Sequence, residues 1–190
     1  MDVFQPCFRP ERFDVILCLG VLHHTRDAFA GYRMLLPLLK PGGHIVIGLY
    51  NRWGRLPTDL RRQFFRASGG RLKWIDPVLR GGSLSAEQRR AWFADQYCHP
   101  HESKHTVGEV LRWFDRAGVE FVRCVFPETL AHTDGLFESQ SRPTRAERFF
   151  TQAREMVVAS REGGLFLMLG HKPVAGPEPS ARQSQTEYIV

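Results

Sequence analysis

Long hydrophobic runs are missing from this 190-residue chain. No apolar stretch approaches the roughly 18 residues that cross a bilayer, which argues against a helical membrane span. Cysteine is scarce and scattered. Cys7, Cys18, Cys98 and Cys124 never form C-x-x-C, and two of them lie inside apolar, strand-like runs. That pattern predicts reduced thiols and a cytoplasmic protein rather than a disulfide framework. The opening MDVFQPCFRPERFD lacks the basic-then-apolar order of a secretory signal. Internal repeats are absent, and so is any purely basic stretch. The formal net charge of +6 comes from excess arginine and reads as a soluble surface, so nucleic acid is not expected as a partner. With 43% apolar and 24% charged residues, the chain is neither disordered throughout, collagenous nor a coiled coil. Its length suits one domain.

What is present alternates. Residues 13–21 read FDVILCLGV, a near-continuous apolar run that predicts a strand buried on both faces. Asp27 then caps a helix carrying Phe29, Tyr32, Leu35, Leu36 and Leu39 at helical spacing, and Pro37 should end or kink it. Pro41-Gly42-Gly43 predicts a turn, and HIVIGL at 44–49 a second buried strand. Residues 51–105 form a long insertion with helices expected after Thr58 and Ser85, the latter in a capping box with Gln88. Thr106 and Glu109 form another box, opening a helix that Gly118 closes. Residues 119–125 predict a third strand and 128–142 a loop. Thr144 with Glu147 opens a last helix, and 165–169 predict a fourth strand. The Pro/Ser/Gln-rich stretch 174–190 is expected to be a disordered tail. The alternation predicts an α/β sheet with helices on both faces.

Phe13-Asp14 followed by VILCLGVLHHT, LLKPGG at 38–43 and HIVIGLYN resembles the class I S-adenosylmethionine-dependent methyltransferases. The resemblance reaches almost to Pro173. It implies that these segments are the fourth and fifth strands of a Rossmann-like sheet, with 118–125 and 165–173 as the sixth and seventh. It also implies S-adenosylmethionine as cofactor. The family's glycine-rich turn has no counterpart, since no two glycines here lie two apart. The acidic residue for the ribose hydroxyls is also missing. The expectation is therefore a truncated fold: a partial methyltransferase domain over 1–173, with 52–105 as a helical insertion or lid and 127–142 as a second flap. Such a half-domain would pair with a missing N-terminal half, or self-associate through an exposed strand edge.

The resemblance assigns candidate residues. Asp2, with Val3 beside it, matches the acidic segment that meets the adenine amine, and a carboxylate can accept that hydrogen bond. A solvated terminal residue is the plainer alternative. Leu19, Gly20 and Val21 lie where a parallel strand's carboxyl end faces a ligand crevice, and Gly20 lacks the Cβ that would block close approach. His23 and His24 follow. A base near neutral pH would help an acceptor hydroxyl, thiol or enol, although either histidine could instead cap a helix or fill the loop. Tyr50, Asn51 and Arg52 end the next strand and are candidates for orienting a small-molecule acceptor, with a turn-forming Asn as the alternative. His101-Glu102-Ser103-Lys104-His105 matches H-E-x-x-H. Zinc chemistry would need both histidines on one helix, and the Thr106 box starts the helix too late, so no metal is expected. Arg52, Arg55, Arg61, Arg62 and Arg66, interleaved with Trp53, Phe64 and Phe65, fit either an anion site or an amphipathic helix with a solvated basic face and a packed aromatic one. The function so expected is methyl transfer to a small-molecule acceptor. The alternatives are a non-catalytic module acting through a partner chain, or an RNA-binding or RNA-modifying protein.

Overall fold

A computed structural model describes residues 2–69, 75–81, 84–98, 101–126, 135–158 and 164–174. Strand β1 (Phe13–Leu19) leads through a 3-10 turn (Leu22–His24) to helix α1 (Ala28–Leu35), a second 3-10 turn (Leu36–Leu38) and strand β2 (Leu39–Tyr50). The insertion carries α2 (Leu56–Ala67), the short α3 (Pro77–Arg80), α4 (Ala86–Phe93) and a π-helical turn (Ala94–Cys98). Helix α5 (Val107–Ala117), β3 (Glu120–Val125), α6 (Arg145–Val158) and β4 (Leu165–His171) complete the order. The expected tail falls outside the described residues from 175 onward. No helix among the described residues is long and apolar enough to cross a membrane.

Local signals act where the sequence puts them. The Asp27 carboxylate accepts from the Ala30 N–H at 2.9 Å and opens α1, which gives way to the 3-10 turn holding Pro37. Thr106 Oγ1 accepts from the Glu109 N–H at 3.2 Å, and Gly118 closes α5 at φ 65°. The boxes Ser85/Gln88 and Thr144/Glu147 are both reciprocal. Glu109 departs from this pattern, because its carboxylate turns to His105 Nδ1 at 3.0 Å.

The sheet is mixed, in the order β1-β2-β4-β3, with β1 parallel to β2 and β4 antiparallel to both neighbours. One face (Ile45, Ile47, Leu49, Phe166, Met168) packs on α1 and α5 through Tyr32, Val110, Leu111 and Phe114. On the other, Val46, Leu167, Leu169, Val122 and Val125 form a smaller cluster with Leu136 and Leu165 against it.

Two expectations change. Pro41-Gly42-Gly43 is absorbed into β2 as an irregularity: Phe13 pairs with Leu39 but Val15 with His44. Gly42 sits at φ 79°, and a Cβ on Gly43 would come within 2.9 Å of the Asp14 and Lys40 carbonyl oxygens. The strand thus starts five residues before the predicted 44. The second change concerns β1, which is covered on one face and not two. Cys18 is buried, whereas Val15, Leu17 and Leu19 are 43%, 64% and 46% exposed. Alternation follows from the strand's two-residue period, and β1 is the edge strand with nothing described over its outer face.

Candidate active site

The two parallel strands end side by side, and the candidate residues gather there. Gly20 turns the chain at φ 72° just past β1, its N–H donating to the Gly48 carbonyl at 3.3 Å. A Cβ built there would meet nothing within 4 Å, so its backbone borders open space. Leu19 and Val21 flank it, both exposed. A groove of about 460 Å³ runs along the free edge of β1, lined among others by Asp2, Val3, Phe8, Ile16, Leu17 and Val21. Asp2 is exposed there, and its Oδ1 accepts from the Phe4 N–H at 3.0 Å.

Past the strand ends the surroundings turn polar and buried. His23 is fully buried, 4.0 Å from the Tyr50 ring and 4.3 Å from His24 between centroids. Both its ring nitrogens are buried without a hydrogen-bond partner among the described residues. Burial, reinforced by the neighbouring His24, pushes its pKa down to about 3, so the ring is neutral near pH 7. A neutral imidazole has one donor and one acceptor, and neither is used here. His24 is half-buried, with Nδ1 3.2 Å from the His101 carbonyl oxygen. That contact requires a hydrogen on Nδ1, because a carbonyl oxygen can only accept.

The H-E-x-x-H stretch is a strap over these strand ends, with none of it on a helix. Ser103 donates to the His23 carbonyl from its N–H at 2.7 Å and its hydroxyl at 3.2 Å. The His105 N–H donates to the Tyr50 carbonyl, and the Arg52 N–H to the His105 carbonyl, each at 2.9 Å. The motif's side chains have other partners. His105 meets Ser103 Oγ through Nε2 at 2.9 Å and Glu109 through Nδ1. Glu102 takes Arg55 as a bidentate partner at 2.9 and 2.6 Å, and Arg62 at 3.0 Å. Burial alone would raise the Glu102 pKa, but the Arg55 hydrogen bonds and charge, with Arg62 behind, hold it down at about 2. Among the described residues no group of three His, Cys, Asp or Glu could hold a metal ion.

Arg55 is the hinge of this network. Its guanidinium is fully buried 3.9 Å over the Tyr50 ring, opposite to expectation for a solvated basic face. Its Nη1 also donates to Gln96 Oε1, while Gln96 Nε2 donates to the Tyr50 hydroxyl at 3.1 Å. Arg61 is buried as well, near Asp76, which accepts from the Tyr97 hydroxyl. Arg61 and Arg62 on α2 therefore point inward beside the buried Phe65, and Arg66 is exposed. Leu56, Leu60 and Phe64 point outward, at 37%, 55% and 54% exposure.

Asn51 and Arg52 are not brought to the His23 end in the same way. Asn51 is a joint: Oδ1 accepts from the Trp53 and Gly54 N–H groups, and Nδ2 donates to Gln152 Oε1 at 3.3 Å. Arg52 is exposed, and its guanidinium reaches the Lys104 carbonyl at 3.5 Å. Gln96 and Glu102 were missed as site residues. Glu102 could be found only by reading it as the acid for the insertion's arginines, and Gln96 carries no sequence signal at all.

Comparison with known proteins finds similarity to methyltransferases. Residues 1–47 match the family model described as a methyltransferase domain. An uncharacterized protein of Synechococcus is 28% identical over 143 residues, covering 64% of this chain and 34% of its own length. The tRNA U34 carboxymethyltransferase of Trichodesmium erythraeum is 26% identical over 124 residues, covering 65% of this chain and 29% of its own. A solved S-adenosylmethionine-dependent methyltransferase from Mesorhizobium loti superposes with a TM-score of 0.47 at 16% identity, covering 90% of this chain and 67% of that one. The similarity to a methyltransferase domain lies in the segment that builds β1, α1 and most of β2. S-adenosylmethionine is the cofactor of the methyltransferase class that this segment resembles. The chain spans about a third of the length of the two curated relatives.

Proposed function

We propose that this chain forms the acceptor side and one cofactor wall of an enzyme transferring a methyl group from S-adenosylmethionine to a small-molecule acceptor. The observation that carries it is the bare, left-handed Gly20 within the family-matching segment, at the carboxyl end of a parallel strand. Asp2 and Val3 would hold the adenine side along the β1 groove, with Leu19, Gly20 and Val21 beside the methionine part. The residues present fit one side of the cofactor, because these 190 residues contain no glycine-rich turn. When bound, S-adenosylmethionine supplies an electrophilic methyl group on a sulfonium. In-line displacement depends mainly on positioning. His24 Nε2 would take the proton lost by the acceptor, with Tyr50 and the neutral His23 shaping the wall behind it. Asn51 holds the joint below them and Arg52 the rim. Residues 52–105 would act as the lid over 1–173, fastened by the strap.

A second reading, a non-catalytic module paired with another chain, is favoured by the exposed apolar face of β1. Ultraviolet cross-linking of methyl-labelled S-adenosylmethionine to the full chain separates the two. The expected result is label on the peptide holding Gly20 to His24, lost in Gly20→Leu. Label elsewhere, or label indifferent to that substitution, rejects the catalytic reading.

A further inference from the structure

The arginines that stand out in the sequence are not the ones left for a ligand. Arg55, Arg61 and Arg62 are tied to Glu102, Asp76 and Asp59. A second group of arginines lies between α5 and α6. There, a cavity of about 470 Å³ is lined by Arg112, Arg142, Arg145 and Arg148, with Trp53 and Phe149 as aromatic walls. No acidic side chain lines it among the described residues. Among the described residues Arg142 has an ion-pair partner there, a bidentate contact with the exposed Asp115 at 2.8 and 2.6 Å, and Arg112, Arg145 and Arg148 have none. Arg148 and Arg112 come from different helices yet converge: their Nη1 atoms lie 3.5 and 3.9 Å from where a Cβ on Gly108 would sit. Two guanidinia held over one spot repel each other unless an anion lies between them. Arg145 and Arg148, three apart, share one face of α6. The track continues past Arg148, which also lines an adjoining cavity of about 400 Å³ with Arg154.

We infer that this arginine cleft binds single-stranded nucleic acid, phosphates on the arginine track and bases against Trp53 and Phe149. Arginines spread over two adjoining cavities exceed what one phosphate needs and match a repeating anion. Trp53 and Phe149 meet edge to face at 6.4 Å and are 37% and 56% exposed, which leaves ring faces for stacking. A bilayer surface would meet side chains on one plane, whereas these converge into a cleft from two helices. The inference is independent of methyl transfer, since binding is read without cofactor.

The test is fluorescence anisotropy of the full chain with a labelled single-stranded RNA of about a dozen nucleotides across a salt series. Arg145→Ala/Arg148→Ala should weaken binding roughly tenfold or more at low salt and flatten the salt slope by about 0.7 per arginine. Trp53→Ala should weaken it roughly tenfold and leave the slope alone. The matched double variant Arg9→Ala/Arg33→Ala, on exposed residues elsewhere, should change little. Thermal melts establish that each variant folds. Equal losses in both double variants, competition by free AMP as effective as by RNA, or binding to phosphatidylglycerol vesicles instead of RNA would each overturn the inference.

Discussion

The two parallel strands run side by side and end in opposite chemistry. β1 is apolar, one-sided and open along its edge, with Leu17 64% exposed. β2 runs into a buried polar network in which Tyr50, Arg55, Gln96 and Glu102 satisfy one another. The difference fits the proposal that this chain completes only one side of the crevice by itself. The β2 side is closed by its own insertion and strap. The β1 side presents unpaired backbone groups and apolar side chains, the surface that a strand or helix from elsewhere would cover.

The largest way to break the comparison is at Glu102. Glu102→Ala leaves the buried Arg55 guanidinium without its carboxylate and should cost about 3–5 kcal/mol. Urea unfolding measures it. A double variant, Arg55→Met with Glu102→Met, should recover most of that loss, because the penalty lies in the orphaned charge.

The second effect is acid lability where His23 and Glu102 are buried past the strand ends. His23 has its pKa depressed from 6.5 to about 3, so its contribution is fully present above pH 6.5 and lost as pH falls toward 3. The limiting slope is about 1.4 kcal/mol per pH unit. Glu102, depressed from 4.5 to about 2, adds a further loss from pH 4.5 downward. Stability measured against pH should therefore fall in two stages. His23→Phe should flatten the upper stage and spare the lower one.

On the open side the expected effects on stability are smaller. Leu17→Lys should change unfolding free energy by less than about 0.5 kcal/mol, because the side chain is exposed. It should nonetheless shift any self-association toward monomer in size-exclusion chromatography with light scattering, since a charge on the strand blunts the edge. Smallest of all, Asp14→Asn removes an ion pair with Lys40 at 2.8 Å whose side chains are 79% and 44% exposed, and should leave the melting temperature unchanged.

Local features were legible and remote ones were not. Asp27, Gly118 and the boxes at Ser85 and Thr144 act within a few residues, so the sequence alone locates those helix ends. The start of α5 placed the H-E-x-x-H stretch outside the helix for the same reason. The Arg55–Glu102 pair joins residues 47 apart, and only the folded insertion brings them together. The inverted α2 was illegible because its pattern fits a basic outer face until those buried acids are known. Likewise, FDVILCL reads as doubly buried, since hydrophobicity says what a strand can bury but not whether a neighbour is there. Pro41-Gly42-Gly43 shows a related limit: the turn residues are real, but β4 and β1 pair around them. Gly42 donates to the Lys172 carbonyl at 2.8 Å.

The central claim is that the crevice at the ends of β1 and β2 receives the cofactor from one side only. Amide NMR spectra of the full chain, titrated with S-adenosylhomocysteine, test it directly. The account predicts shifts confined to Val3, the stretch from Leu19 to His24 and the neighbourhood of Tyr50, saturating only at millimolar ligand. Saturation at micromolar ligand, or shifts centred on another surface, would contradict it.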